Sequence, residues 1–392
     1  MTSAHDRPTA TGPQAAIVGI GFIGTAHIEA LRRLGIPIRG ILGHSLDYTR
    51  QRALELGLHP YQSYEELLAD PLVNVVHDCG PNDIHVSSNL AALRAGKHVL
   101  SEKPLGVSVA ECEQQVLVAR QSGLQAGVNF TYRGYGAVQQ LRDLVRSGEL
   151  GELKYVRGHY LQDWLLLKSD HNWRTEAPAS ETRAVADIGS HLADLTEYVL
   201  GQRAERVLAR FSRMHDTRLR PDSAQVTFSS GDGSGTPYRV STEDQASVWV
   251  DYAGGVQASF ELSQVAAGHK NDLMIEVLGT RGSATWRQET PEEIVLGSRA
   301  DERTVRLKQP AHPFTHYPPG HPEGLPDAIT NVIRAFYATL AGRPSPYPTF
   351  EDGLAAARFT EAAYHSQLGG EWVSLNRAAV QTREEQATEV SR

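Results

Sequence analysis

The sequence predicts an α/β chain in two parts: an N-terminal parallel sheet with crossover helices, then a C-terminal α+β unit built on a large, mainly antiparallel open sheet. Three observations predict it. Short apolar runs alternate with helical patterns from Ala15 to Phe130, and a glycine-rich turn, Gly19 to Gly24, joins the first run to the first helix. After about residue 200 the sequence becomes strand-rich, with glycines at the turns. The length of 392 residues exceeds one ordinary domain, and apolar and charged fractions of 40% and 21% are those of a core-forming chain.

Taken in order, residues 1–13 are rich in Thr, Ala and Pro, and residues 377–392 carry charge without an apolar face, so both are expected to be tails. The runs AAIVG, IRGILG, VNVVHDC, KHVLS and LQAGVNF read as the strands of a first domain over 14–128. Between them Ser63 with Glu66 and Ser108 with Glu111 fit capping boxes, and Gly96 and Gly123 stand where helices end. A second domain over 129–376 opens with helices at Val138 to Arg146 and His191 to Leu200. SVWVDYAGGVQASFEL is a hairpin turning at Gly254 and Gly255, and MIEVLGTRGSATW another turning near Arg281 and Gly282. Residues 229–237 read as a loop, and an amphipathic helix from Asp352 to Leu368 closes the domain.

Composition excludes several classes. A formal charge of −8 without a basic block leaves no electrostatic footprint for a nucleic-acid partner. Two cysteines, Cys79 and Cys112, form neither a disulfide framework nor a CxxC motif, as expected in a reducing compartment. No apolar leader core stands at the start, and no run reaches the roughly 18 apolar residues that span a bilayer. A cytoplasmic protein without a membrane partner is expected.

The turn Gly19-Ile20-Gly21-Phe22-Ile23-Gly24 follows a strand and opens a helix whose Ala26, Ala30, Leu31 and Leu34 share one face. In the Rossmann dinucleotide site the first glycine makes the tight turn, the second admits a pyrophosphate to the helix N-terminus, and the third lets helix and strand pack closely. The expected cofactor is therefore NAD(P). At the end of the second strand, where an acid usually receives the ribose 2′-OH, stand Gly43, His44 and Ser45. The missing carboxylate leans the expectation toward NADP, with Arg50 as a further donor, while Asp47 remains within reach of a ribose.

Four patterns in order, GIGFIG at 19–24, GPNDIH at 80–85, SEKP at 101–104 and DIGSHLADL at 187–195, resemble the Gfo/Idh/MocA family, the family of glucose-fructose oxidoreductase and inositol dehydrogenase. The likeness runs from about Gln14 to Leu375. It implies a second domain whose open sheet carries the substrate and often the oligomer contact, so a homodimer or homotetramer is expected. It also implies an NAD(P)-dependent dehydrogenase or reductase acting on a sugar, cyclitol or related polyol. Two other readings share the scaffold: a sugar–sugar oxidoreductase that retains its nucleotide, and a dinucleotide-binding sensor or regulator without catalysis.

The residue chemistry supports the enzyme. Asp187 and His191 stand four apart, one helical turn, and a neutral histidine suits the removal of a hydroxyl proton as hydride leaves. Lys103 follows the strand KHVLS at the carboxyl end of a parallel sheet, where its ammonium can stabilise a developing alkoxide. The resemblance assigns the same cast, with Lys103 and His191 catalytic and Asp187 their hydrogen-bonding partner, and leaves open which of the two takes the proton. Each residue also has a structural reading: Asp187 as a helix cap, His191 as a satisfied core histidine, Lys103 as a surface lysine.

The resemblance further puts Pro81, Asn82 and His85 against the ribose and nicotinamide, with Glu102 facing the cofactor. Gly80 replaces the family's more usual Thr, which removes a hydroxyl. The segment at 160–174 mixes Trp164, Trp173, Asp163, amides and Arg, as sugar pockets do. With NFTYRGY at 129–135 it resembles a bacterial subgroup of the family. Tyr132, Arg133, Asp163, Trp164, Trp173 and Arg183 join Asp187 and His191 as expected substrate contacts. His312, His316 and His321 lie among prolines that break any helix, so no metal site is expected.

Overall fold

The computed structural model describes residues 12–176, 181–221, 234–300, 303–310 and 312–375. The tails expected at the two ends lie almost wholly outside the described residues, as does most of the loop at 229–237.

The first half alternates as its apolar runs require. β1 (Ala15–Val18), α1 (Phe22–Arg33), β2 (Ile38–Leu42), α2 (Leu46–Leu56), β3 (His59–Pro60) and α3 (Tyr64–Ala69) come first. β4 (Val75–Asp78), α4 (His85–Arg94), β5 (His98–Ser101), α5 (Val109–Ser122) and β6 (Ala126–Val128) complete the unit. The six strands are all parallel in the order β3-β2-β1-β4-β5-β6. β1 and β4 are buried at every position because helices cover both faces of a parallel sheet, which is why they read as unbroken apolar runs. α2, α3 and α5 each start on a serine whose hydroxyl accepts an amide of the first turn, and at Ser108 the full capping box with Glu111 forms.

A 3₁₀ turn at Thr131–Gly134 and α6 (Gly136–Arg146) lead into β7 (Leu153–Leu161), a short α7 (Trp173–Glu176), a π-turn at Val185–Gly189 and α8 (Ser190–Leu200). The strands that follow are β8 (Ala204–Ser212), β9 (Thr217–Arg220), β10 (Thr236–Arg239), β11 (Gln245–Tyr252), β12 (Gln257–Ser263), β13 (Asp272–Gly279), β14 (Ser283–Arg287), β15 (Glu293–Gly297) and β16 (Thr304–Leu307). α9 (Leu325–Leu340), α10 (Phe350–Gly369) and β17 (Val373–Ser374) end the described chain. Nine strands form one sheet in the order β16-β15-β14-β13-β7-β12-β11-β8-β17, antiparallel at every pairing except β7 with β12. Both expected hairpins form, β11 with β12 and β13 with β14. Gly254 and Gly255 take φ of +94° and +83° at the first turn, a region closed to most side chains.

One face of this sheet holds the largest core, where Val156, Val248, Phe260, Ile275 and Trp286 meet Leu192 and Leu195 of α8. α9 had no counterpart in the reading of the sequence. It packs Ile329, Ile333 and Phe336 against Ile17, Ile28 and Leu31 of the parallel-sheet unit. α10 spans both cores, with Phe350 and Leu354 beside Val128 and Phe359 beside the large sheet. Phe350 and Phe359 are each 1% exposed, so truncating either to Ala should cost roughly 3–5 kcal/mol. Among the described residues no helix is long and apolar enough to cross a membrane.

Candidate active site

The glycine turn has the geometry its spacing predicts. Gly19 sits at φ +80°, and a Cβ there would lie 2.3 Å from the Cys79 carbonyl oxygen; one on Gly24 would lie 1.9 Å from the Gly19 carbonyl oxygen. Gly21 faces open space and precedes α1 without a side-chain cap or an acid in the first turn. An anion is what such a helix start lacks. Phe22 is 77% exposed and Ile23 half-buried beside it. The residues present therefore fit a dinucleotide pyrophosphate.

After β2, the Gly43 amide donates to Thr49 Oγ1 at 2.9 Å, His44 stacks on the Tyr48 ring, and the Ser45 hydroxyl accepts the Tyr48 amide as the cap of α2. Ser45 keeps its O–H free to donate, since a hydroxyl donates one bond while accepting others. His44, Ser45, Asp47 and Arg50 are all exposed. In the turn after β4, Pro81 is exposed and Asn82 borders the cavity described below. His85 is fully buried, with Nδ1 3.2 Å from Asp78 Oδ2. Burial opposes its charge, but the Asp78 carboxylate outweighs this and His85 titrates above its ordinary value.

Glu102 likewise turns inward. Its Oε1 receives Asn129 Nδ2 at 2.6 Å and lies 3.1 Å from His27 Nε2, and its Oε2 accepts the Lys103 amide at 3.3 Å. Lys103, at the end of β5, aims Nζ at Asp187 Oδ1 (2.9 Å) and at the Asp187 carbonyl oxygen (3.0 Å). Gln264 Nε2 donates to Asp187 Oδ2 at 2.9 Å, and Arg174 Nε stands 4.0 Å from Oδ1. Burial alone would raise the Asp187 pKa, but Lys103 and Arg174 hold it well below the usual carboxylate range.

The expected partnership of Asp187 with both catalytic groups is met at Lys103, whereas the ring of His191 turns to aromatic neighbours. Tyr132, Phe130 and Tyr160 surround it at centroid distances of 5.0, 5.9 and 6.3 Å, and its buried Nδ1 has no hydrogen-bond partner. Burial and the repulsion of Lys103 keep His191 neutral, well below the ordinary histidine range. Beside it Tyr132 and Tyr160 share a short hydroxyl bond, Tyr160 donates to Asn271 Oδ1 at 2.6 Å, and Asn271 Nδ2 donates to Tyr132 at 3.1 Å. Gln162 Nε2 donates to the same Asn271 Oδ1 at 3.0 Å, and Gln162 Oε1 accepts Trp164 Nε1–H at 2.9 Å.

Other expected contacts have different work. Arg133 is 8% exposed and forks onto Asp194, with Asp352 beside it. Arg183 is 2% exposed, bound to Asp244 and to the Glu243 carbonyl, while Glu243 accepts the amides of Arg183 and Val185 at the start of the π-turn. Asp163 is held by Lys270 and the Gly268 amide. Trp173 begins α7, but its side chain lies outside the described residues. His316 bonds Asn331, and among the described residues no group of three or more His, Cys, Asp or Glu is arranged for a metal.

A cavity of about 310 Å³ adjoins Asp187, within the size range of ligand pockets. Asn82, Pro104 and Leu105 line it from the parallel sheet, Arg174 and Arg183 from the segment before the π-turn, and Tyr364 from α10. Arg174, Gln264 and Asn271 were missed from the sequence. Arg174 ends the aromatic and polar segment that had been singled out; Gln264 and Asn271 flank strands and carry no local signal.

Comparison with known proteins places this geometry. Residues 14–130 match the profile described as oxidoreductase family, NAD-binding Rossmann fold, and residues 138–285 the GFO/IDH/MocA C-terminal domain. Levoglucosan dehydrogenase of Pseudarthrobacter phenanthrenivorans is 26% identical over 92% of this chain and 97% of its own. 1,5-Anhydro-D-fructose reductase of Ensifer adhaerens is 27% identical over 83% of this chain and 87% of its own. A levoglucosan dehydrogenase solved in complex with NADH and L-sorbose superposes with a TM-score of 0.86 at 25% identity, over 93% of this chain and 99% of that one.

Proposed function

Because the chain belongs to the Gfo/Idh/MocA family and is an oxidoreductase of CH–OH groups with an NAD-binding domain, we propose that it moves hydride between nicotinamide and a secondary alcohol or ketone of a sugar, cyclitol or related polyol. The observation that carries the reading is the Lys103–Asp187 pair, 2.9 Å apart beside the cavity. Gly19, Gly21, Phe22, Ile23 and Gly24 hold the pyrophosphate side of the dinucleotide, and His44 and Ser45 its ribose. Pro81, Asn82 and Lys103 flank the reacting end. When bound, the dinucleotide supplies or accepts the hydride.

The protein's own part is the proton. A proton on His191 Nδ1 would be buried without an acceptor, so the neutral ring carries it on Nε2 and leaves a bare lone pair among the aromatic rings. His191 then donates to the substrate oxygen and orients it. Lys103 exchanges the proton: in reduction its ammonium protonates the oxygen that becomes the alcohol, while Asp187, fixed by Gln264, holds the amine in place. Tyr132, Gln162, Trp164 and Asn271 form a polar and aromatic wall suited to hydroxyls and C–H faces. Arg174 joins them on the cavity side.

A panel of sugars, anhydrosugars and inositols, followed by nicotinamide absorbance with NAD and NADP, tests the reading. At least one should turn over, with Lys103→Met lowering kcat by about 10² or more and nucleotide affinity little changed. Nucleotide binding without turnover of any polyol would favour the regulatory role. Nucleotide that stays bound through purification would favour the sugar–sugar shuttle.

A further inference from the structure

We propose that His27 is a positioning residue for Lys103, acting through Glu102, and that the hydrogen-bonded chain Tyr337–His77–His27–Glu102 ties the nucleotide-binding helix to the catalytic strand end. The proposal rests on the catalytic reading of Lys103. His27 and His77 are fully buried, and Glu102 is 8% exposed. His27 stands in the second turn of α1, His77 in β4, Glu102 directly after β5 and Tyr337 in α9, so the chain runs from the helical face shared by α1 and α9 to the carboxyl end of β5.

Its sense runs from Tyr337 to Glu102. As a carboxylate, Glu102 can only accept, so His27 donates from Nε2 at 3.1 Å. In the proposed chain His77 donates its Nδ1–H to His27 Nδ1 at 2.9 Å, and its Nε2 accepts the Tyr337 hydroxyl at 3.0 Å. His77 stays neutral because burial holds it well below the ordinary histidine range. Asn129 Nδ2 also stands 3.1 Å from His27 Nε2 while donating to Glu102 Oε1, and a break in the chain strands a buried polar group.

The other end of the chain meets the chemistry. Glu102 Oε2 accepts the backbone N–H of Lys103, the residue whose Nζ holds Asp187. Without the His27 donor, Glu102 keeps Asn129 as its side-chain donor in a site nearly closed to water. Its Oε1 then has one donor fewer, so the carboxylate is free to turn about its remaining bond. A Glu102 that turns no longer holds the Lys103 amide firmly, and Lys103 loses register with Asp187.

The test uses the full chain. In the nucleotide-free protein, [¹⁵N]histidine NMR, assigned by difference against His27→Gln and His77→Gln, should show His27 protonated at Nε2 and His77 at Nδ1. With the fastest polyol of the panel, His27→Phe should lower kcat about tenfold or more, as a small misplacement of a catalytic group does, with KM within about twofold. His27→Gln, which keeps an N–H for Glu102, should restore most of the rate. A folded His27→Phe enzyme with wild-type kcat, or the opposite tautomers, overturns the proposal. If His27→Phe does not fold, Tyr337→Phe decides, and wild-type kcat there overturns it equally. Wild-type turnover in Lys103→Met would instead defeat the catalytic reading itself, whatever His27 shows.

Discussion

Asp187 precedes His191 by four residues, yet its carboxylate goes to Lys103 and Gln264. The π-turn at Val185–Gly189 explains this, since its wider winding puts an extra residue into the turn and rotates Asp187 off the stripe it would share with His191 in an α-helix. π-turns of this kind often mark functional sites, and here the turn frees the carboxylate for the lysine. Charge alone did not separate binding from structural residues either. Arg133 reads like a sugar contact beside Tyr132, but its fork is spent on Asp194 and its charge shared with Asp352 inside the core. Arg133→Ala should therefore destabilise the protein by about 3–5 kcal/mol in urea titration, because Asp194 would be left buried and unpaired. Substrate KM in the folded fraction should stay within about twofold; a raised KM at unchanged stability would restore the ligand role.

The turn from β2 into α2 stands where a Rossmann domain meets the ribose 2′ position, and a nucleotide preference is predicted from it. It presents His44 and the Ser45 hydroxyl, with Arg50 a turn further on, and no carboxylate before Asp47 in the helix. The 2′-phosphate of NADP accepts hydrogen bonds from such groups and is repelled by an acid, so NADP should bind more tightly than NAD. An acid at Gly43 is a poor probe, since its Cβ would lie 2.9 Å from the Tyr48 ring and 3.1 Å from Ile20. His44 is exposed, and His44→Asp should reverse the preference in fluorescence titration by adding a ribose acceptor and a repulsive charge together. A wild-type preference for NAD of tenfold, about 1.4 kcal/mol, would show that this turn does not select and that Asp47 meets the ribose.

Across the whole molecule, α9 and α10 tie the two sheets together, and the nine-stranded sheet keeps a face away from the core. Trp249 stands on β11 at 57% exposure, between buried Val248 and Val250, opposite Ser259 on β12 and Leu208 on β8. A large ring left open on a broad sheet suits the dimer or tetramer contact expected of this sheet. Light scattering should find a dimer or tetramer, and Trp249→Glu should shift it toward monomer with little change in secondary structure. A monomeric wild type would remove the sheet as an assembly surface.

Local pattern decided the order of elements, the glycine turn and the end of β5, because periodicity, caps and turn glycines act over a few residues. Gly19, Gly21, Gly24 and Lys103 were legible for that reason. Long-range pairing decided the rest. Glu102 and His85, expected at the cofactor, are buried against partners 75 and 7 residues away in the chain, His27 and Asp78. Gln264 and Asn271 became site residues because β12 and β13 bring them to Asp187 and Tyr132. α9 left its own half of the chain to cover the parallel sheet. A side chain's type states which bonds it can make, but which partner it reaches depends on folded distances that spacing along the chain does not contain.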